Sequence, residues 1–224
     1  MYLITSAAYV SQELRNEVGK LPPAFLPVKN KRLFEHQIKS LEHDEDIYIS
    51  IPENYIIENF DQELLHDLKV NIIKVPLNVS LAESIRYALN SITNSDKNLR
   101  LLHGDTLIID LPKTKNDFVV ASITDDDYDW GLIYDDSKKL IYSGYFSLND
   151  KALFESLLES SGNFIASLKQ YSEAINVEVF KSKGWLDFGH INTFFRSKAL
   201  MPNIRHFNSM VIDNKSVTKS SKFK

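Results

Sequence analysis

No cysteine occurs among the 224 residues. That absence excludes a disulfide framework, a thiolate zinc site and a cysteine nucleophile, so any metal must be held by oxygen or imidazole. Positive charge is not in surplus either: 26 Lys and Arg stand against 30 Asp and Glu, for a net charge of -4. A protein built to neutralise a nucleic-acid backbone would show a basic face, so no nucleic-acid partner is expected. Nowhere does an uncharged apolar run approach the roughly 20 residues of a membrane-spanning helix. Met1 leads into Tyr2-Leu3-Ile4-Thr5 with no basic lead-in, so a signal peptide is not expected, and the chain reads as cytoplasmic with no membrane partner. What is present is core-forming material: 43% hydrophobic and 11% aromatic residues exclude disorder for most of the chain.

The first half alternates apolar runs of strand length with stretches of helical period, the pattern of a mainly parallel α/β sheet. Strands are expected at Tyr2–Ser6, Asp46–Ile51, Val70–Val75 and Leu99–Leu102, the last interrupted by Arg100. Between them Phe34, Ile38 and Leu41 share one helical face, as do Ile57, Phe60 and Leu64, and then Leu81, Ile85, Ala88, Leu89 and Ile92. From Asp117 the pattern turns to short β-rich runs at 118–123, 130–134, 140–146 and 177–180, which complete the sheet and wall a site at its edge. Two further helices are expected, one capped by Asp150 and ended by Gly162, the next carrying Phe164, Ile165, Leu168 and Tyr171. The division is a domain over 1–212 followed by a Ser/Lys-rich tail at 213–224, read as a linker toward a possible further domain.

Three regions carry chemistry. The strand Leu101-Leu102-His103 ends in Gly104-Asp105-Thr106, and in open α/β sheets the ligand crevice lies beyond the carboxyl ends of the strands. A carboxylate there is placed to hold a divalent cation against a phosphate; the alternative is an ordinary Gly-Asp turn. Asp187, within Trp185-Leu186-Asp187-Phe188-Gly189, is the second candidate, because two carboxylates distant in sequence can share one hard cation. Its Asp-Phe-Gly triplet does not indicate a protein kinase, since the glycine-rich loop and catalytic-loop patterns are missing. Third is the loop after the first strand, from Ser6 to Val28, where backbone amides can cradle phosphates and Arg15 and Lys20 are the available cations.

Taken together, Leu3 to Ala8, the Pro22 to Val28 block, Gly104-Asp105-Thr106, Ser143-Gly144-Tyr145-Phe146 and Trp185 to Gly189 resemble the sugar-phosphate nucleotidyltransferase family in order and spacing. The resemblance spans about Met1 to Leu200. It implies a Rossmann-like three-layer α/β sandwich with a mixed, mostly parallel sheet. The implied activity joins a nucleoside triphosphate to a sugar phosphate or similar phosphorylated acceptor, with Mg2+ as cofactor and pyrophosphate as leaving group, for capsule or other surface polysaccharide. Asp105 and Asp187 would bind magnesium; Ser6, Ala7, Ala8, Asn78, Ser80, Leu81, Glu83, Ser84 and Gly104 would contact the nucleotide; Gly144, Tyr145, Lys138 and Lys139 would contact the acceptor. Two departures stand out. Tyr9, Val10, Ser11 and Gln12 occupy the place of the family's glycine-rich loop, and Pro23 replaces a lysine.

Two other readings stay open. Asp125 and Asp127 form an Asp-x-Asp pair of the kind that holds a metal and a diphosphate in glycosyltransferases, against the reading of the run as an acidic turn. A relative that has lost its glycine loop can also bind nucleotides without turnover. His36, His43, His66 and His206 have no spacing that suggests zinc.

Overall fold

In the computed structural model, residues 1–42, 44–93, 97–128, 130–133 and 139–201 are described, together with three short strands at 205–207, 210–212 and 217–219. The elements in chain order are β1 (Tyr2–Thr5), α1 (Gln12–Val18), β2 (Pro27–Val28), β3 (Lys31–Arg32), α2 (Leu33–Ser40), β4 (Ile47–Pro52), α3 (Asn59–Asp67), β5 (Val70–Val75), α4 (Leu81–Asn90), β6 (Leu99–His103) and β7 (Thr106–Ile108). They continue with β8 (Phe118–Ile123), β9 (Leu132–Ile133), β10 (Leu140–Leu148), α5 (Lys151–Ser161), α6 (Phe164–Ala174), β11 (Glu178–Lys181), β12 (Trp185–Asp187), α7 (Ile191–Leu200), β13 (Arg205–Phe207), β14 (Met210–Ile212) and β15 (Val217–Lys219).

The main sheet runs β11-β8-β10-β6-β1-β4-β5, with β9 paired to β10. β5, β4, β1 and β6 are mutually parallel, whereas β10 runs antiparallel to both β6 and β8. Side chains alternate across a strand, so β1 feeds both faces. Leu3 joins Leu101, Phe146, Ile85, Phe154 and Leu168 on the face covered by α4, α5 and α6. Tyr2 and Ile4 join Ile49, Ile51, Phe34, Ile38 and Leu65 on the face covered by α2 and α3. The result is a three-layer α/β sandwich with a mixed, mostly parallel sheet. Each fully buried large side chain contributes about 1.5–3 kcal/mol relative to exposure.

Several local expectations are corrected. Phe60 is 65% exposed and Ile57 precedes α3, because the inward face of that helix is formed by Asp61 and Leu65. Asp61 is fully buried and accepts a bidentate pair of hydrogen bonds from Arg32 at 2.7 and 2.8 Å, which fixes the rotation of the helix against the periodicity. Leu81 opens α4 half-exposed instead of joining the core. The loop expected after β1 contains α1, whose cap is Ser11 accepting from the amide of Leu14. Arg100 does not interrupt β6; it is buried and donates to Asn149 Oδ1 at 3.1 Å. Asp150 and Gly162 do bound α5, Gly162 in the left-handed conformation at φ 62°. Within the tail at 213–224, β15 pairs with β14; 213–216 and 220–224 lie outside the described residues, as does Tyr134 of the expected strand at 130–134.

Candidate active site

The site forms at the carboxyl ends of β1 and β6, where a cleft of about 480 Å³ opens. Ser6, Ala7, Ala8, Tyr9 and Arg15 line one side, Asn78, Ser80, Leu81 and Ser84 the other, and His103 and Asp105 the floor. Asn78 takes φ 60°, a left-handed value that asparagine tolerates better than most residues, and so turns the chain into α4. Ser80 and Glu83 form a reciprocal capping box: the Ser80 amide donates to Glu83 Oε2 at 2.7 Å, and the Glu83 amide donates to Ser80 Oγ at 3.2 Å. Glu83 is thus a capping residue and does not line the cleft.

Asp105 occupies the turn between β6 and β7. Gln37, fully buried on α2, holds that turn by donating from Nε2 to the carbonyls of His103 at 2.9 Å and Thr106 at 2.7 Å. Register brings the second carboxylate to it: β12 pairs antiparallel with β7, opposing Asp187 to Thr106. Gly189 lies between the acids, for a Cβ built there would stand 2.5 Å from Asp105 Oδ2 and 3.4 Å from Asp187 Oδ1. Burial, then the neighbouring Asp187 charge, pushes the Asp105 carboxyl up to about 6.

Asp187 is held from its other side. Its Oδ2 accepts from the Thr193 hydroxyl and lies 3.1 Å from His190 Nδ1, while its carbonyl accepts from Ser197 Oγ at 2.7 Å. That hydrogen bond to Asp187 raises the pKa of His190. His190 also stacks on Tyr128 with ring centroids 3.8 Å apart, and Trp130 meets both His190 and Trp185 edge-on. His103 behaves oppositely: burial among Phe146 and Phe164 drives it down to about 4, so its ring is neutral.

A buried carboxylate, Asp187, beside the partly buried Asp105 suits a hard divalent cation, which would relieve the Asp187 repulsion that adds to burial in raising Asp105. No group of three His, Cys, Asp or Glu gathers among the described residues, so a cation held there would take its other ligands from outside these side chains.

The other candidate residues fall into place unevenly. Arg15 reaches the cleft, with Nε donating to the Val10 carbonyl at 2.7 Å. Lys20 instead rests its ammonium 4.4 Å above the Tyr9 ring and is not among the residues lining the cleft. Gly104 is packed beneath the site, where a Cβ would stand 2.8 Å from Ser6 Cβ and 2.9 Å from the Thr5 carbonyl. Tyr145 is a correction: its ring is buried against Phe118, centroids 5.5 Å apart, because alternation along β10 turns it into the core and away from any cleft. Gly144, at φ 82° in a β-bulge, lets β10 pass close to β6 and β7, where a Cβ would stand 2.8 Å from Thr106 Oγ1 and 3.1 Å from His103 Cβ. Lys139 bonds the Asp126 carbonyl at 3.0 Å and Asp127 Oδ1 at 3.3 Å; Lys138 lies outside the described residues. Asp126 is gripped by both terminal guanidinium nitrogens of Arg196, so Asp126 and Asp127 of the acidic run are engaged in ion pairs. His103, His190, Thr193 and Gln37 were not singled out from the sequence. The i+3 and i+6 spacing of His190 and Thr193 after Asp187 was the available signal.

No protein-family model matches the chain, and no curated protein matches it. Solved structures do. The fold is shared with a nucleoside-diphosphate-sugar pyrophosphorylase from Vibrio cholerae RC9, at 13% identity over 89% of this chain and 100% of that one, TM-score 0.70. A putative glucose-1-phosphate thymidylyltransferase from Bacillus anthracis aligns at 14% identity over 92% and 96%, TM-score 0.67. A UTP-bound UGPase from Acinetobacter baumannii aligns at 14% over 88% and 91%, TM-score 0.63. The chain therefore has the fold of sugar nucleotidyltransferases, the class that the sequence motifs resemble. Among the described residues no helix is long and apolar enough to cross a membrane.

Proposed function

We propose that the chain is a magnesium-dependent nucleotidyltransferase that joins a nucleoside triphosphate to a sugar phosphate and releases pyrophosphate, supplying an activated precursor for a surface polysaccharide. The observation that carries this reading is that Asp105 lines a cleft bounded by Ser6 to Tyr9 and the start of α4, with Asp187 next to it across Gly189. Neighbours of the same fold named as pyrophosphorylases, one of them UTP-bound, support it. Magnesium, held by Asp105 and Asp187, would supply charge neutralisation at the phosphates.

The chain's own groups do the rest. The acceptor phosphate attacks the α-phosphorus in line with the departing pyrophosphate, which asks the protein for positioning and charge and for no side-chain nucleophile. Arg15 offers a cation on the cleft wall. Ala7 and Ala8, which line the cleft, bring backbone to the triphosphate, and Tyr9 to Gln12 stand where relatives use glycines. His190 and Thr193 fix the rotamer of Asp187.

Asp105→Asn and Asp187→Asn test the reading. Each is expected to lower magnesium-dependent pyrophosphate release by at least 100-fold with an unchanged circular dichroism spectrum. Activity within a few-fold of the parent would remove the metal assignment. Nucleotide binding without any turnover in the parent would favour a sensing role, for which the missing glycine loop is the supporting feature.

A further inference from the structure

The segment that follows β8 has no part in the chemistry above, yet it is built against the helix that holds Asp187. Thr124, buried just after β8, accepts from the Asp126 amide at 3.1 Å and donates to Asp126 Oδ2 at 3.1 Å, which fixes the direction of that carboxylate. Its two oxygens meet the two terminal nitrogens of Arg196 on α7, Oδ1 at 3.0 Å from Nη1. A two-point grip of this kind holds geometry more firmly than a single contact. Two residues on, Tyr128 lays its ring on His190, with centroids 3.8 Å and planes 17° apart. Trp130 meets both of these rings edge-on.

The same helix carries the groups that hold Asp187. Thr193, Arg196 and Ser197 stand at i, i+3 and i+4 and so share one side of α7. The Thr193 hydroxyl bonds the Asp187 carboxylate and Ser197 Oγ bonds the Asp187 carbonyl, while Arg196 reaches across to Asp126. His190, just before α7, places Nδ1 3.1 Å from Asp187 Oδ2. With Oδ2 engaged by Thr193 and His190, Oδ1 is left on the side of Gly189 and Asp105. An imidazole held through one nitrogen can still pivot about that contact, and a second ring laid flat on it removes the freedom.

We propose that the segment from Thr124 to Tyr128 is a strap: Tyr128 is a positioning residue for Asp187, acting through His190, and the pairing of Asp126 with Arg196 fastens the strap to α7. The proposal rests on the metal reading of Asp187 given above. In this role Asp126 and Tyr128 touch neither metal nor substrate. They keep the Asp187 carboxylate from turning, so that Oδ1 stays directed toward the space beside Asp105. Groups that hold a metal ligand from behind in this way change cation affinity by about 10–100-fold when removed.

The test uses the full chain and three readouts. Acrylamide quenching of the two tryptophans, Trp130 and Trp185, reports the strap without metal; calorimetric titration with manganese reports cation affinity; pyrophosphate release reports turnover. Tyr128→Ala and Arg196→Ala are each expected to increase quenching and to weaken manganese binding about tenfold, with turnover restored by saturating metal. Tyr128→Phe, which keeps the stacked ring, should stay within about twofold of the parent. Because both contacts belong to one strap, the double variant should bind manganese about as the weaker single one does; a multiplied loss of about 100-fold would overturn the proposal. Parental manganese affinity in both single variants would also overturn it, and so would a loss of turnover that saturating metal does not restore. These outcomes leave the metal reading standing. A parent that binds no manganese would instead count against that reading and take the strap with it. Arg196 is half-exposed, so its variant decides where Tyr128→Ala does not fold.

Discussion

Replacing Asp105 with asparagine should make the metal-free protein more stable while abolishing its chemistry. In the folded chain burial and the facing Asp187 raise this carboxyl from 3.8 to about 6. Between about pH 4 and 6 the folded state therefore holds a proton that the unfolded state has released. The stability associated with Asp105 is full below about pH 4 and is lost as pH rises through about 6. A shift of roughly two units at 1.36 kcal/mol each sets the loss at neutral pH to about 3 kcal/mol. Asparagine, nearly isosteric and uncharged, removes that loss. For a chain of this size 1 kcal/mol corresponds to about 2–4 °C, so the variant should melt about 6 °C or more above the parent at about pH 7.5 in EDTA. At about pH 4 the two curves should converge. Magnesium should then stabilise the parent by mass action and leave the variant nearly unmoved. A variant that melts at or below the parent at about pH 7.5, or a difference that does not change with pH, would refute the reasoning.

Gly189→Ala places a methyl 2.5 Å from Asp105 Oδ2, inside the space between the acids; magnesium-dependent turnover should fall by about 100-fold with an intact fold, read by pyrophosphate release and a parallel melt. Asp61→Asn leaves Arg32 without its buried counter-charge and should lower unfolding free energy by about 3 kcal/mol in urea titrations, with no change in cation affinity. Asp125→Asn with Asp127→Asn should leave turnover within about twofold, since Asp127 is a fully exposed side chain whose pairing with Lys139 contributes little; complete loss would restore the glycosyltransferase reading.

Much of the site was legible in the sequence because its parts are local. Gly104-Asp105 follows an apolar strand, and a carboxylate at that place in an α/β sheet faces the crevice whatever the remaining packing does. Asp187 could be named for the same reason, between an aromatic strand and a helix start. Tyr145 was misplaced because its motif says nothing about which face of β10 is buried, and a β-bulge at Gly144 resets that choice. Phe60 was misplaced because periodicity weighs apolar side chains, whereas one buried ion pair between Arg32 and Asp61 set the rotation of α3.

The sequence by itself determined the alternation of strands and helices, the capped ends at Asp150 and Gly162, and the identity of the two acids. Those depend on backbone preferences and on side-chain period within a few neighbouring residues. Only the tertiary structure decided that β12 pairs with β7 and so brings Asp187 to Asp105, that Gln37 clamps the turn carrying Asp105, and that Trp130 and Ile165 line a cleft without charged side chains beside them. Each of these joins residues far apart in the chain, and their proximity follows from burying the sheet faces and the cluster of Leu107, Leu186, Phe188 and Phe194 beneath the site, a global packing result that no local pattern encodes.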